Sequence, residues 1–353
     1  MKKSILENRS KSTILTLVCF ILFILIPTNS TSQIYRNITA YMDDFAKNEL
    51  FVKKSLMDYS VSIVDSQLES RSKTTVTRII EKLEKINTIL RNTNNGFEGN
   101  TSLRDSFIKM NKKTIDCLQN GSLILDDYDY QSTLSLYEIG ENFNQKETDL
   151  IAYYQELKNY ETAKKIFTSR YKINSKSTES KNILEYNAHQ NILFYKMNVI
   201  DEKLTTAIKE KDKKAFSDCM SLIKYMHEIT ISKTSEYQNV FVDNSLNDAN
   251  IAYSNFIAGQ KEILNNLFND YVLQFNVLER LKKGAKPVTE ENVADYNTVV
   301  RTYNTKKNLF YDVYNDTQII KVKMYNNWLT TNSTFLKNNG QFDSIYEKYE
   351  VIE

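Results

Sequence analysis

The chain has 353 residues, 46 Lys+Arg against 44 Asp+Glu, and only seven Gly and two Pro. Ordinary proteins carry roughly 7% Gly and 5% Pro, so this composition excludes turn-rich sandwiches, barrels and propellers, Gly-rich phosphate loops and collagen-like repeats. It predicts an all-α protein long enough for two domains.

The formal charge of +2 is unevenly spread. Residues 1–32 carry Lys2, Lys3, Arg9 and Lys11 against Glu7, and removing them leaves 42 basic and 43 acidic residues, a net −1. No basic excess remains to bind a polyanion, so nucleic acid is not an expected partner.

Residues 1–32 read as a secretory signal peptide. A basic start precedes an apolar run from Thr13 to Ile26, closed by Pro27 and Thr28-Asn29-Ser30-Thr31-Ser32. The run is about 14 residues, within the range of a signal core and short of the roughly 20 that span a bilayer. Ser30 and Ser32 supply small residues at −3 and −1, which places Gln33 at the mature N-terminus. Cys19 is no lipidation site on this reading, because Val18 precedes it and the apolar run continues through Phe20–Ile26. The expectation is an exported protein, periplasmic, surface-bound or secreted, with no membrane insertion after cleavage. Cys117 and Cys219 then face an oxidising compartment, where they form either one disulfide or two buried thiols.

From there the apolar spacing is helical. Val76, Ile79, Leu83, Ile86 and Leu90 alternate by three and four, and Leu264, Tyr271 and Leu278 repeat every seven. Such stripes bury one helical face against neighbours. Helices are predicted near 35–68, 71–92, 102–119, 145–171, 182–210, 213–236, 246–282 and 290–337, with a short piece at 131–139. Thr289 caps the last, with Glu290 and Glu291 in its first turn, where the helix dipole favours acids. The polar run Lys172–Lys181 reads as a linker between a module at 33–173 and a second at 182–353.

The two modules resemble each other. At an offset of 143, Tyr153 meets Tyr296, Tyr160 meets Tyr303, Lys164 meets Lys307, Phe167 meets Phe310 and Tyr171 meets Tyr314, while Leu150 and Leu157 meet Val293 and Val300. Phe107-Ile108 matches Phe256-Ile257 at a nearby offset. The expected architecture is a pair of duplicated antiparallel helical bundles, or one long bundle with internal symmetry. The aromatic stripe offers two readings. Tyr153, Tyr160, Tyr296 and Tyr303 could line a groove for a sugar, peptide or lipid headgroup, each giving an apolar body with a polar tip. Phe at the third position of both copies, with aliphatics alongside, favours a packed seam.

Chemistry finds little purchase elsewhere. His189 and His227 are the only histidines, and neither has a ligand partner at helical His-Glu-x-x-His spacing, so no metal is expected. Asp127, Asp129, Gln131 and Glu138 imitate a calcium loop, but Ser132 stands where the sharp turn needs glycine. There is neither a Gly-x-Ser-x-Gly elbow nor a Cys–His arrangement. No cofactor and no catalytic residue are expected.

The Ser32-Gln33 junction, Leu184-Glu185-Tyr186-Asn187 opening a long helix, and the Asn/Lys/Tyr-rich stretch Lys181–Asn339 together resemble helical exported and surface proteins of Bacteroidota and spirochaetes. In plan the chain also looks like imelysin-like proteins. Their Gly-x-His-x-x-Glu motif is missing, since Glu228 directly follows His227 and Ile192 stands three after His189. The resemblance implies an envelope or surface location, and the leading expectation is a non-enzymatic, exported helical-bundle protein that presents its surface to another envelope or surface protein. The alternative is a ligand-binding or sensory bundle holding a small molecule between helices.

Overall fold

The computed structural model describes residues 35, 37–69, 76–121, 133–175, 182–284, 289–340 and 349–351. The leader at 1–32, Asp127, Asp129, Gln131 and Ser132 of the calcium-like run, and 176–181 of the linker lie outside the described residues.

The fold is all-α. Helices α1 (Ile38–Glu69), α2 (Val76–Thr93), α3 (Ser102–Gln119) and α4 (Leu136–Arg170) precede α5 (Ile183–Glu210), α6 (Lys213–Tyr237), α7 (Ser245–Gly259), α8 (Lys261–Lys283) and α9 (Glu290–Asn339). Their ends follow local chemistry. Ser135 and Glu138 form a reciprocal capping box at α4, while Asn182, Asp212 and Thr289 accept backbone N–H groups at α5, α6 and α9. Such caps satisfy donors that a helix start leaves orphaned. Between α2 and α3 the chain turns at Gly96, with φ of +81°, where a Cβ would lie 2.2 Å from the Asn100 carbonyl oxygen. Only glycine fits there.

Three boundaries differ from expectation. α4 begins at Leu136 rather than 145 and takes in 136–139 of the piece expected at 131–139, because the capping box starts the helix early. The helix expected over 246–282 is broken at Gln260 into α7 and α8. The start of the linker is ordered: β1 (Ile173–Ser175) pairs antiparallel with β2 (Tyr349–Val351), Ile173 opposite Val351. Ile173 and Tyr349, one from each strand, are buried in the core and pin the start of the polar run to the body.

Two apolar cores result. One gathers α1, α2, α3, the second half of α4 and the strand pair, including Tyr41, Phe45, Phe107, Tyr160, Phe167 and Tyr349. The other is built on α5–α9 but takes Met57 and Val64 from α1, Cys117 from α3, and Ile139, Phe143, Leu150, Tyr153 and Tyr154 from α4. Packing therefore crosses the boundary drawn at 173/182. α4 runs from one core to the other, and α9 reaches α1, where Ser333 Oγ and Lys337 Nζ donate to Asp65 at 2.6 and 2.9 Å.

The second core carries an unusual amount of amide. Asn187 Nδ2 donates to Asn332 Oδ1 (2.5 Å), Asn332 Nδ2 to Asn191 Oδ1 (2.8 Å), and Asn191 Nδ2 to Asn187 Oδ1 (3.1 Å). The three amides close a ring between α5 and α9, and all are buried. Gln190 donates to Asn247 and accepts from Asn250, tying α5 to α7, and Asn247 donates to the Thr234 carbonyl of α6. The Nδ2 and Nε2 groups of these amides all find acceptors, which is the condition for burying them cheaply, whereas Asn250 Oδ1 and the Trp328 indole N–H of the same core have no hydrogen-bond partner among the described residues.

Replacing Asn332 with Ala orphans the Asn187 donor and the Asn191 acceptor in one step. At about 1–3 kcal/mol per orphaned group, urea denaturation of Asn332→Ala is expected to lose about 3 kcal/mol. A loss below about 1 kcal/mol would show that the ring contributes little.

Candidate functional site

The four tyrosines do not meet in one groove. Tyr153 and Tyr160 are buried in different cores. Tyr153 packs edge-on to Tyr154 at 4.8 Å, and burial, the largest influence on it, pushes its phenol up to about 12. Tyr160 meets Phe107 at 5.4 Å and hydrogen-bonds Glu49 of α1, whose other oxygen accepts from Lys164 Nζ at 3.0 Å. On α9 the matching residues are open. Tyr303 is half-buried against Tyr271 and Phe275 of α8, with ring centroids 6.0 and 6.3 Å away, and Tyr296 is 40% exposed.

This difference marks the site. From Glu290 to Leu309 every residue of α9 is exposed or half-buried, and the first buried one is Phe310. Beside it, α8 continues past Phe275, where Lys211 Nζ lies 4.7 Å over the ring at the α5–α6 turn. The two helices form an antiparallel arm that packs on itself through Tyr271, Leu278, Tyr303 and a Lys306–Asp270 ion pair of 2.7 Å. Leu273, Val293, Tyr296 and Leu309 are among the large exposed apolar side chains of these two helices. An apolar stripe at this spacing normally faces a partner helix. The heptad count found Tyr296 and Tyr303, but it could not show that one copy of the stripe is covered and the other is not.

At the root of the arm lies a small cleft. Asp201, Leu204, Met220, Phe256, Ile257, Gln260, Leu264, Tyr314, Thr317, Gln318 and Lys321 line it, beside the α7–α8 break. Its water-accessible volume of about 20 Å³ suits a single water, far below the roughly 300 Å³ at which ligand pockets begin. Lys321 is buried there, with Nζ 2.5 Å from Asp201 and 2.6 Å from Glu202. Burial alone would lower this ammonium, but the two carboxylates outweigh it and hold its pKa above the ordinary lysine value. The group reads as a charged peg joining α5 to α9. Sequence could not find it, since Asp201 and Lys321 lie 120 positions apart.

The remaining candidates are absorbed in packing. His227 Nδ1 lies 3.0 Å from Ser254 Oγ. His189 sits between Tyr154 and Tyr237, and burial pushes its pKa down. Cys117 and Cys219 are both free and buried, and burial pushes each thiol up to about 11. Glu138 serves the capping box of α4. Among the described residues, no three His, Cys, Asp or Glu side chains gather as a metal site, and no helix is long and apolar enough to cross a membrane.

Removing one member of the peg strands the other. Lys321→Met leaves Asp201 buried without its cation, a loss of about 3–5 kcal/mol. The double variant Lys321→Met/Asp201→Asn is expected to recover most of it in thermal or urea unfolding. Equal stability of the single variant and wild type would show that the pair is not dry.

No family model, curated protein or solved structure matches this chain.

Proposed function

We propose that the chain is an exported, non-enzymatic helical-bundle protein of the cell envelope that works by protein–protein contact, with the α8–α9 arm as its contact surface. The observation that carries this reading is the α9 stripe. It has the spacing of a buried helix seam, yet Val293 and Tyr296 stand open to solvent in helices that hold a regular shape. Exposed apolar side chains on an ordered element favour a partner. The leader-like residues 1–32 support export, and the resemblance to surface proteins of Bacteroidota and spirochaetes agrees with it. A ligand-binding bundle has less support, because the first tyrosine pair is packed and the cleft at the root admits about one water.

Tagged chain recovered from its own cell envelope is expected to begin at Gln33 and to bring down a specific protein after mild cross-linking. The Val293→Lys/Tyr296→Lys variant is expected to lose that protein at unchanged helicity. Retention of Met1–Ser32, or capture that ignores the two lysines, would defeat the corresponding half of the reading.

A further inference from the structure

We propose that the arm's partner is a second copy of this chain, its α9 lying antiparallel against the first so that the two arms close a four-helix bundle. This rests on the reading of the arm as a contact surface and names what occupies it.

The first ground is the comparison between α4 and α9. The six positions Leu150, Tyr153, Leu157, Tyr160, Lys164 and Phe167 recur as Val293, Tyr296, Val300, Tyr303, Lys307 and Phe310. On α4 this stripe has α3 and α1 over it: Phe107 meets Tyr160, Tyr41 meets Phe167 at 5.4 Å, and Glu49 neutralises Lys164. On α9 only α8 is present among the described residues. Leu150 is 1% exposed where Val293 is 45% exposed, and among the described residues Lys307 has no ion-pair partner, whereas Lys306 beside it pairs with Asp270. The arm thus has half the helices that the same stripe has elsewhere in the molecule. Two helical hairpins, joined face to face, supply the other half.

The second ground is charge. From Glu290 to Val300, α9 carries Glu290, Glu291 and Asp295 and no base; from Arg301 to Leu309 it carries Arg301, Lys306 and Lys307 and no acid. A parallel copy would set acid on acid and base on base. An antiparallel copy sets acid against base at both ends, and the arrangement is its own two-fold mate, as a symmetric dimer requires. With Val300 of one copy opposite Tyr296 of the other, Val293 falls opposite Tyr303, and Glu290 comes beside Lys307 of the second copy. That carboxylate would then do for Lys307 what Glu49 does for Lys164.

The stripe from Val293 to Phe310 is about 25 Å long and two helices are about 20 Å wide, so the dimer would bury on the order of 1,000 Å² in total. That is the lower limit of specific interfaces, the size of weak and transient contacts, so a weak dimer is expected.

Sedimentation velocity of the purified mature chain, from about 1 to about 200 μM, reads this directly. A monomer–dimer equilibrium is expected with a midpoint on the order of 10 μM. Tyr296→Lys, at the centre of the face, is expected to weaken it at least about tenfold. Glu290→Lys and Lys307→Glu should each weaken it about three- to fivefold, and the two together should restore it. All three substitutions lie on the exposed arm, and far-UV circular dichroism checks that helicity is kept. A chain monomeric at about 200 μM overturns the proposal, as does a dimer indifferent to Tyr296→Lys or a charge swap that fails to restore. A monomeric chain that still captures another protein through the arm would overturn the second copy alone and leave the contact surface standing.

Discussion

The ring of Asn187, Asn191 and Asn332 fixes how α9 lies on the rest of the molecule. Each amide gives one hydrogen and takes one, so a slide of α9 by a residue breaks both bonds to Asn332 and leaves their groups buried. Apolar contacts tolerate such a slide far better, because a Leu or Phe packs nearly as well a little displaced. With Asn332 held, the other α9 contacts fall into place along one line. Trp328 stacks flat on Phe194 at 3.7 Å, Lys321 meets Asp201, and the Tyr314 hydroxyl donates to Thr205. A buried polar cluster of this kind sets register more than it adds stability.

That line is one seam with a period of seven: Val293, Val300, Lys307, Tyr314, Lys321, Trp328 and Phe335. The last four are buried and the first three are exposed or half-buried. A straight α-helix drifts about 20° per heptad against a strict seven-residue repeat. Over the roughly six heptads of this 50-residue helix the stripe turns through about 120°. The face that meets α5 at Trp328 has therefore rotated away by Val293. A sequence periodicity can run unbroken while the helix it addresses changes.

That drift separates what was legible from what was not. The all-α class, most helix limits and the packed state of Tyr153, Tyr160 and Phe167 follow from spacing, caps and scarce Gly and Pro, which are local properties. The break at Gln260 does not, because Phe256, Ile257, Leu264 and Phe268 keep helical spacing across it. Tertiary packing decides it, where α7 serves the amide network and α8 leaves for the arm. The strand pair at Ile173 and Tyr349 was hidden for a related reason. Three residues of β structure have no period to detect, and their partners lie 174 to 178 positions away in sequence and meet only in the folded chain. Tyr296 and Tyr303 were found by pattern, but their exposure depends on which helices are absent beside them, and no local rule counts absent neighbours.

The arm's two strands of chain are attached unequally, and this decides how a contact at its tip is felt. Between Glu290 and Asn339, α9 contains neither glycine nor proline, the residues at which helices most often kink. It passes without interruption from the open stripe to the Lys321 peg, the amide ring and Asp65 of α1, spanning roughly 75 Å. On the other side the chain enters α8 through Gly259 and Gln260, a break in the helical ladder. Bending at that break alone cannot swing the arm, since α9 would have to bend with it. A partner seated on Val293 and Tyr296 therefore pulls on a rigid lever whose far end is locked into the second core and tied to Asp65 of α1, so the orientation of the contact face is set by the same three asparagines that hold α9 in register.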